Sequence, residues 1–239
     1  MPTLRLDKIL TGSGLYSRRE AGNLIKDGRV TVGGQVVLSK EEKFNSDMEL
    51  ICIDGVPVEY RTYRYFMMNK PKGVLSATID RSVETVLDIL KPEHSRLGLF
   101  PVGRLDKDVT GLLLLTNDGG FAHKVMSPAG GIGKTYLALT DIAVTAADVC
   151  AFSGGIMLSD GTKSLPASLR PVQGGAYITL REGKFHQVKR MMEAIGKPVI
   201  DLSRVSVGGL VLDEGLRPGE YYELSNEEVS LIFNNPETK

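Results

Sequence analysis

The stretch GRLDKDVTGLLLLTNDG, from Gly103 to Gly119, sets an arginine and two aspartates directly before a solid leucine run and a turn directly after it. Four consecutive leucines bounded by turn residues read as a strand buried on both faces. A carboxylate at the mouth of such a strand is desolvated unless something compensates it. Asp106 and Asp108 therefore either sit in a solvated turn or are held ready for chemistry. If they continue the strand, both point to the same side, and two such carboxylates are the equipment of a glycoside hydrolase. If Asp-Lys-Asp forms a turn, Asp108 has an ordinary hydrogen-bonding role. The residues alone leave both readings open.

The flanking chain supplies the rest of a large domain. YRYFMMNKPKGVLS reads as strand, turn, strand, with Asn69, Lys70, Pro71 and Gly73 in the turn. ETVLDIL is expected to be a short helix and NDGG a turn. KTYLALT alternates as a strand that carries Tyr136, and SLPASLRP and AYITLRE are further strand candidates. In HQVKRMMEAIGKP, Val188, Met191, Met192 and Ile195 share one helix face, with His186, Lys189, Arg190 and Glu193 opposite. Gly196 and Pro198 end that helix. Strands and helices do not alternate regularly, so the expected class is α+β with a mixed, mostly antiparallel sheet.

The chain has 239 residues and 29 basic against 29 acidic side chains. The balance hides an uneven distribution. Residues 1–40 hold seven basic and three acidic side chains, and residues 213–239 hold two and seven. Cys52 and Cys150 lie in apolar strings and are expected to be buried thiols. The charged N-terminus does not read as a signal peptide, and no apolar run reaches membrane-spanning length, so a cytoplasmic protein is expected. Three histidines with no two at ligand spacing leave metal catalysis and a histidine triad without parts. GGIGKTY lacks the spacing of a phosphate-binding loop. What remains is a carboxylate acting as nucleophile or as acid and base.

The basic front has its own pattern. Leu6, Ile9 and Leu10 mark a short helix that Gly12 and Gly14 end. Ser17-Arg18-Arg19-Glu20 is a capping box opening a helix with Ala21, Leu24 and Ile25 on its apolar face, and Gly28 suits its left-handed end. RVTVGGQVV reads as a hairpin turning at Gly33-Gly34. Asp54-Gly55 and Pro57 punctuate the chain, and a domain boundary is placed near residue 60, giving domains 1–60 and 61–239. This front resembles the S-four-type RNA-binding module over roughly residues 3–50, through LDKIL, SRREA and GRVTVGGQVV in that order. The resemblance implies binding of structured RNA, with Arg18, Arg19 and Lys26 contacting phosphates.

GRLDKDVTGLLLLTNDG itself resembles the catalytic motif of RNA pseudouridine synthases. NKPKG upstream, and KTY and EGKFHQVKRM downstream, resemble their companion motifs in order. The subgroup is the RsuA-type, which joins an S-four-type module to this catalytic domain. Val109 departs from the hydroxyl or small residue common there. The resemblance implies isomerisation of uridine to pseudouridine in ribosomal RNA, with no cofactor and no metal. It makes Asp106 the nucleophile, Tyr136 the ring stacked on the uracil and Lys189 the cation paired with the aspartate. Arg104 would fill the space left by the flipped base, Leu180 would line the pocket, and Arg190 and His186 would contact substrate. The KFHQVKRM form is similar to enzymes acting on small-subunit (16S) rRNA. The implied partner is ribosomal RNA or a partly assembled small subunit, bound by a monomer away from membranes. A non-enzymatic RNA-binding or ribosome-assembly factor is the competing class, along with a sugar glycosidase.

Overall fold

The computed structural model describes residues 3–45 and 48–234. Met1 of the expected leaderless N-terminus, and Glu237 and Lys239 of the acidic tail, lie outside them. The chain divides into two compact units. The first runs to Arg64 and includes Leu87–Leu99; the second comprises Tyr65–Val86 and the chain from Phe100 onward.

The first unit follows its sequence pattern closely. Strand β1 (Leu4–Arg5) leads into α1 (Leu6–Gly12), followed by α2 (Arg18–Lys26). Ser17 and Glu20 form the capping box at the start of α2. Strands β2 (Val30–Val32) and β3 (Gln35–Val36) form the expected hairpin, with Gly33 and Gly34 both at positive φ in its turn. Strand β4 (Lys43–Phe44) pairs with β1. Asp54-Gly55 turns a second hairpin between β5 (Ile51–Ile53) and β6 (Val56–Pro57). Leu6, Ile9, Leu10, Ala21, Ile25 and Val30 form a core of their own.

The second unit is a sheet of nine described strands. Strand β7 (Tyr65–Lys70) pairs antiparallel with β9 (Thr110–Thr116), which β8 (Phe100–Pro101) also joins. Beyond them lie β10 (Lys134–Leu139), β11 (Ser168–Val172), β12 (Gly175–Leu180), β13 (Asp201–Val207), β14 (Leu210–Val211) and β15 (Tyr221–Glu223). The path is β11-β12-β10-β13-β9-β7-β15, with β8 and β14 beside it. Only the β13–β9 contact is parallel among the described pairs, so the class is α+β with a mostly antiparallel sheet. Leu112–Leu115 are buried on both faces: Leu112 and Leu114 pack with Met67, Phe121 and Val125, while Leu113 and Leu115 point to the other side. Each such burial stabilises the fold by roughly 2 kcal/mol.

Helix α3 (Pro92–Ser95) belongs to the first unit. ETVLDIL is not a helix; it forms turns, because Leu90 N–H reaches only to Leu87 O and the helix waits for the proline at 92. NDGG is not a plain turn either. Its glycines open α4 (Gly119–Met126), and Asp118 caps that helix by accepting from Phe121 N–H at 3.0 Å. Asn69 and Lys70 belong to β7 rather than to the following turn. Cys52 is buried, but Cys150 is exposed on α5 (Ala146–Gly154), a helix that buries only Phe152. Helices α6 (Gln187–Ala194) and α7 (Asn226–Leu231) complete the elements, with Gly196 past the end of α6 at φ 72°. Among the described residues no helix is long and apolar enough to cross a membrane.

Gly111 fixes how β9 meets β13. Its φ is +101°, and a Cβ there would lie 2.3 Å from Arg204 O and 2.7 Å from Arg204 N. Both are backbone atoms, so no side-chain rotation relieves the clash. Gly111→Ala is expected to destabilise the second unit by about 3 kcal/mol or more, read by urea unfolding. A loss below about 1 kcal/mol would show that this strand contact can shift freely.

Candidate active site

Asp106 and Asp108 lie in the loop that enters β9, not in the strand, so they are not the same-side pair a strand would give. Asp106 O accepts from Val109 N–H at 3.1 Å, closing a turn around Lys107 and Asp108. Three residues of the NKPKGVLS stretch hold this loop. Ser76 Oγ donates to Leu105 O at 2.9 Å and accepts from Leu105 N–H at 3.1 Å. Gly73 N–H donates to Lys107 O at 2.8 Å. Lys70 Nζ donates to Pro71 O at 2.9 Å, to Val109 O at 3.0 Å and to Lys107 O at 3.4 Å. Lys70 has no solvent exposure. Burial pulls its ammonium down to about 8, while Asp108 and Asp106 act in the opposite direction. A lysine at the end of an apolar strand reads from sequence as a turn residue, so its burial carried no signal there.

Helix α6 brings the cations. Lys189 Nζ donates to both carboxylate oxygens of Asp108 at 2.8 Å and lies 3.7 Å from Asp106 Oδ2. His186 Nε2 is 3.6 Å from the same oxygen. Among the described residues these are the ion-pair partners of Asp106, and both stand beyond hydrogen-bonding distance. Lys189 does pair with Asp106, as an ion pair without a hydrogen bond. Asp106 keeps 30 % of its side-chain exposure, and the close partner of Lys189 is Asp108, 70 % exposed. The Lys189 hydrogen bonds hold the Asp108 carboxyl below its ordinary value. Asp108 is hydrogen-bonded to Lys189, whereas among the described residues Asp106 has ion-pair partners but no side-chain hydrogen bond. Arg190 turns elsewhere and pairs with Asp160 at 2.5 Å. The Thr162 hydroxyl and backbone N–H, then Arg190, lower the Asp160 carboxyl strongly.

The sheet register places the other sequence-derived residues. One row runs from Gly111 on β9 through Arg204 on β13 and Tyr136 on β10 to Ile178 on β12. Tyr136 is half-buried in that row, and buried Leu180 lies two residues along β12 from Ile178. Arg104 is exposed in the loop before Asp106. Asp106, His186 and Lys189 are brought into contact; no ion pair joins Arg190 to them. Within the first unit, exposed Arg18, Arg19 and Lys26 line a groove of about 640 Å³ with Asn23, Leu38 and Lys40. Among the described residues no group of three or more His, Cys, Asp or Glu side chains could hold a metal ion.

The family model for RNA pseudouridylate synthase matches residues 64–194, and the S4 domain model matches residues 4–50. The chain belongs to the RNA pseudouridine synthase family. A Bacillus subtilis protein described as an uncharacterized RNA pseudouridine synthase is 43 % identical, over 98 % of this chain and 100 % of its own length. The ribosomal small subunit pseudouridine synthase A of Escherichia coli is 39 % identical, over 96 % of this chain and 100 % of its own. A crystal structure of a pseudouridylate synthase superposes with a TM-score of 0.67 at 33 % identity, covering 96 % of this chain and 99 % of that one. An RNA pseudouridine synthase of the RsuA type, with its RNA-binding domain, replaces the readings of a binding-only factor and a sugar glycosidase.

Two expectations follow for this synthase. Lys70 and Lys134 both sit near 8 in the fold, lowered by burial from 10.5. Between those values the unfolded chain binds more protons than the folded one, so this contribution to stability is complete above the unfolded value and lost as pH falls through the folded one. Lys70→Met should remove one proton's share of that slope, at most about 1.4 kcal/mol per pH unit, in urea unfolding across mildly to strongly alkaline pH. An unchanged slope means the ammonium is not desolvated.

The second concerns α6. Lys189→Met should slow single-turnover pseudouridine formation on the order of a hundredfold and return the Asp108 carboxyl toward its ordinary range in a carbon-detected titration. Arg190→Met should keep the rate within about threefold, since its charge serves Asp160. If Arg190→Met is the slower variant, the assignment of the cations is reversed.

Proposed function

We propose that this chain isomerises a specific uridine in small-subunit (16S) ribosomal RNA, with Asp106 as the nucleophile and the target base flipped out of its stack. The observation that carries the reading is the Asp106 loop. Its backbone is tied down by Lys70, Gly73 and Ser76, while the carboxylate itself stands near Lys189 and His186 without a hydrogen bond from either. A nucleophile must be fixed in place and free at its reacting oxygen, and the tied loop with its carboxylate free of hydrogen bonds supports that role for Asp106. The small-subunit substrate is favoured by the Escherichia coli and Salmonella typhimurium relatives at 39 % identity, each a ribosomal small subunit pseudouridine synthase A.

The reaction breaks the bond between the ribose and the glycosidic nitrogen, turns the uracil, and forms a bond from the ribose to carbon 5. The carbon-5 hydrogen leaves as a proton and the freed nitrogen gains one, so the change is an isomerisation with no electron transfer. Because the target lies in a stack, the base must leave it before the carboxylate can act. In this reading exposed Arg104 occupies the vacated space, Tyr136 stacks on the uracil and Leu180 keeps the pocket apolar. His186 and Arg190 contact the RNA beside it. Residues 1–60 form the RNA-binding domain, with Arg18, Arg19 and Lys26 on phosphates, and residues 61–239 the catalytic domain. The enzyme works as a monomer in the cytoplasm, on ribosomal RNA or a partly assembled small subunit.

Asp106→Asn keeps the shape and removes the nucleophile. It is expected to lower single-turnover pseudouridine formation about ten-thousand-fold or more, with RNA binding nearly unchanged. Products are mapped by carbodiimide-dependent reverse-transcription stops on small- and large-subunit transcripts and on partly assembled subunits. Activity within tenfold of wild type would remove Asp106 from the mechanism, and stops confined to large-subunit RNA would overturn the substrate.

A further inference from the structure

Beside the candidate site, one aromatic ring is left facing solvent on a backbone that is anything but loose. Phe185 is 76 % exposed. Its ring lies parallel to that of His186, with centroids 3.7 Å apart and planes 20° from each other. His186 in turn puts its Nε2 3.6 Å from Asp106 Oδ2. The two rings therefore form a short stack that begins at the carboxylate and ends in water.

The segment that presents this stack is rigidly tied. Gln187 is buried; its side-chain carbonyl accepts from Lys184 N–H at 2.8 Å and its amide donates to Glu182 Oε1 at 2.5 Å. Glu182 Oε1 also accepts from Leu165 N–H at 2.9 Å. Gln187 N–H donates to Lys184 O at 3.2 Å. Residues on both sides of Phe185 are thereby fixed. His186 takes a left-handed backbone, φ 49°, and caps α6 without a side-chain bond to it. That conformation is uncommon for a residue with a side chain. Here its consequence is to lay the imidazole against the Phe185 ring instead of over the helix end.

We propose that Phe185, backed by His186, is a stacking platform for an unpaired nucleobase of the RNA adjoining the flipped uridine, and so holds the opened strand at the site. The inference rests on the pseudouridine synthase reading of Asp106. A planar apolar face held rigid, one ring step beyond the reacting carboxylate, matches the flat face of a base. Such stacks tolerate any base, because every base has a flat face. Opening a duplex to flip one uridine also leaves its neighbour without a stacking partner, and the platform replaces what is lost.

The chain contains no tryptophan, so Phe185→Trp installs a single indole reporter at the platform. The test uses full-length protein and a small-subunit rRNA transcript, together with short fragments made abasic at each position around the mapped uridine. The indole should be quenched at saturating RNA, with affinity within about twofold of wild type, and one abasic fragment should abolish the quench. Phe185→Leu keeps apolar area but loses the flat face, and should bind on the order of tenfold more weakly, with no further loss on that abasic fragment. An unquenched indole, or Phe185→Leu binding as tightly as wild type, overturns the platform. Wild-type pseudouridine formation is measured alongside. If it is present while the platform fails, the stacking proposal falls and the enzymatic reading stands; if the wild type forms none on any ribosomal RNA, the enzymatic reading itself falls and takes the platform's role with it.

Discussion

A charge without solvent holds the loop on which the second unit's chemistry depends. The Lys70 ammonium is fully buried, and a buried cation is unfavourable unless its donors are used. It uses them on the carbonyls of Pro71, Lys107 and Val109. Those carbonyls belong to the two chain segments that must meet for Asp106 to stand at the mouth of β9. The desolvation that lowers the lysine toward neutrality is the same condition that makes its hydrogen bonds strong, because no water competes for them. Ser76 and Gly73 extend the clamp along the loop. The stretch NKPKGVLS thus supports the site through the Lys70 and Ser76 side chains and the Gly73 N–H, which bind main-chain atoms of the Asp106 loop.

The second constraint is how α6 distributes positive charge. Its apolar face, Val188, Met191 and Met192, is buried, which fixes the rotation of the helix and hence the direction of Lys189 and Arg190. These two side chains stand about 100° apart around the axis. Lys189 reaches the Asp106–Asp108 loop and Arg190 reaches Asp160. Asp108 and Asp160 each engage a cation directly, and Asp106 is left with proximity alone. A single helix face therefore sorts three carboxylates into two bound ones and one available one.

The first unit solves a different problem with different material. Its core is separate, built chiefly from α1, α2, β2 and β5. It places Arg18, Arg19, Lys26 and Lys40 around one groove.

Local signals made much of this legible in the sequence. The capping box at Ser17, the Gly33-Gly34 hairpin, the leucine strand and the two faces of α6 follow from capping, φ preference and apolar period, which operate over a few residues. The resemblance to the pseudouridine synthase motifs, rather than these signals, singled out Asp106, His186 and Lys189. Tertiary contacts decided the rest. ETVLDIL has helical spacing but is held in turns, and the glycines of NDGG open a helix because Asp118 caps it. Lys70 looks like a solvated turn residue until the β7–β9 pairing encloses it. Asp106 and Asp108 have the same charge and the same approach to the strand; which one takes the hydrogen bonds of Lys189 depends on where α6 docks, far along the chain. Sequence determined which residue types stand at the site and on which elements. The distance between elements, and so the choice of partner for each charge, was decided only when β7, β9 and α6 packed together.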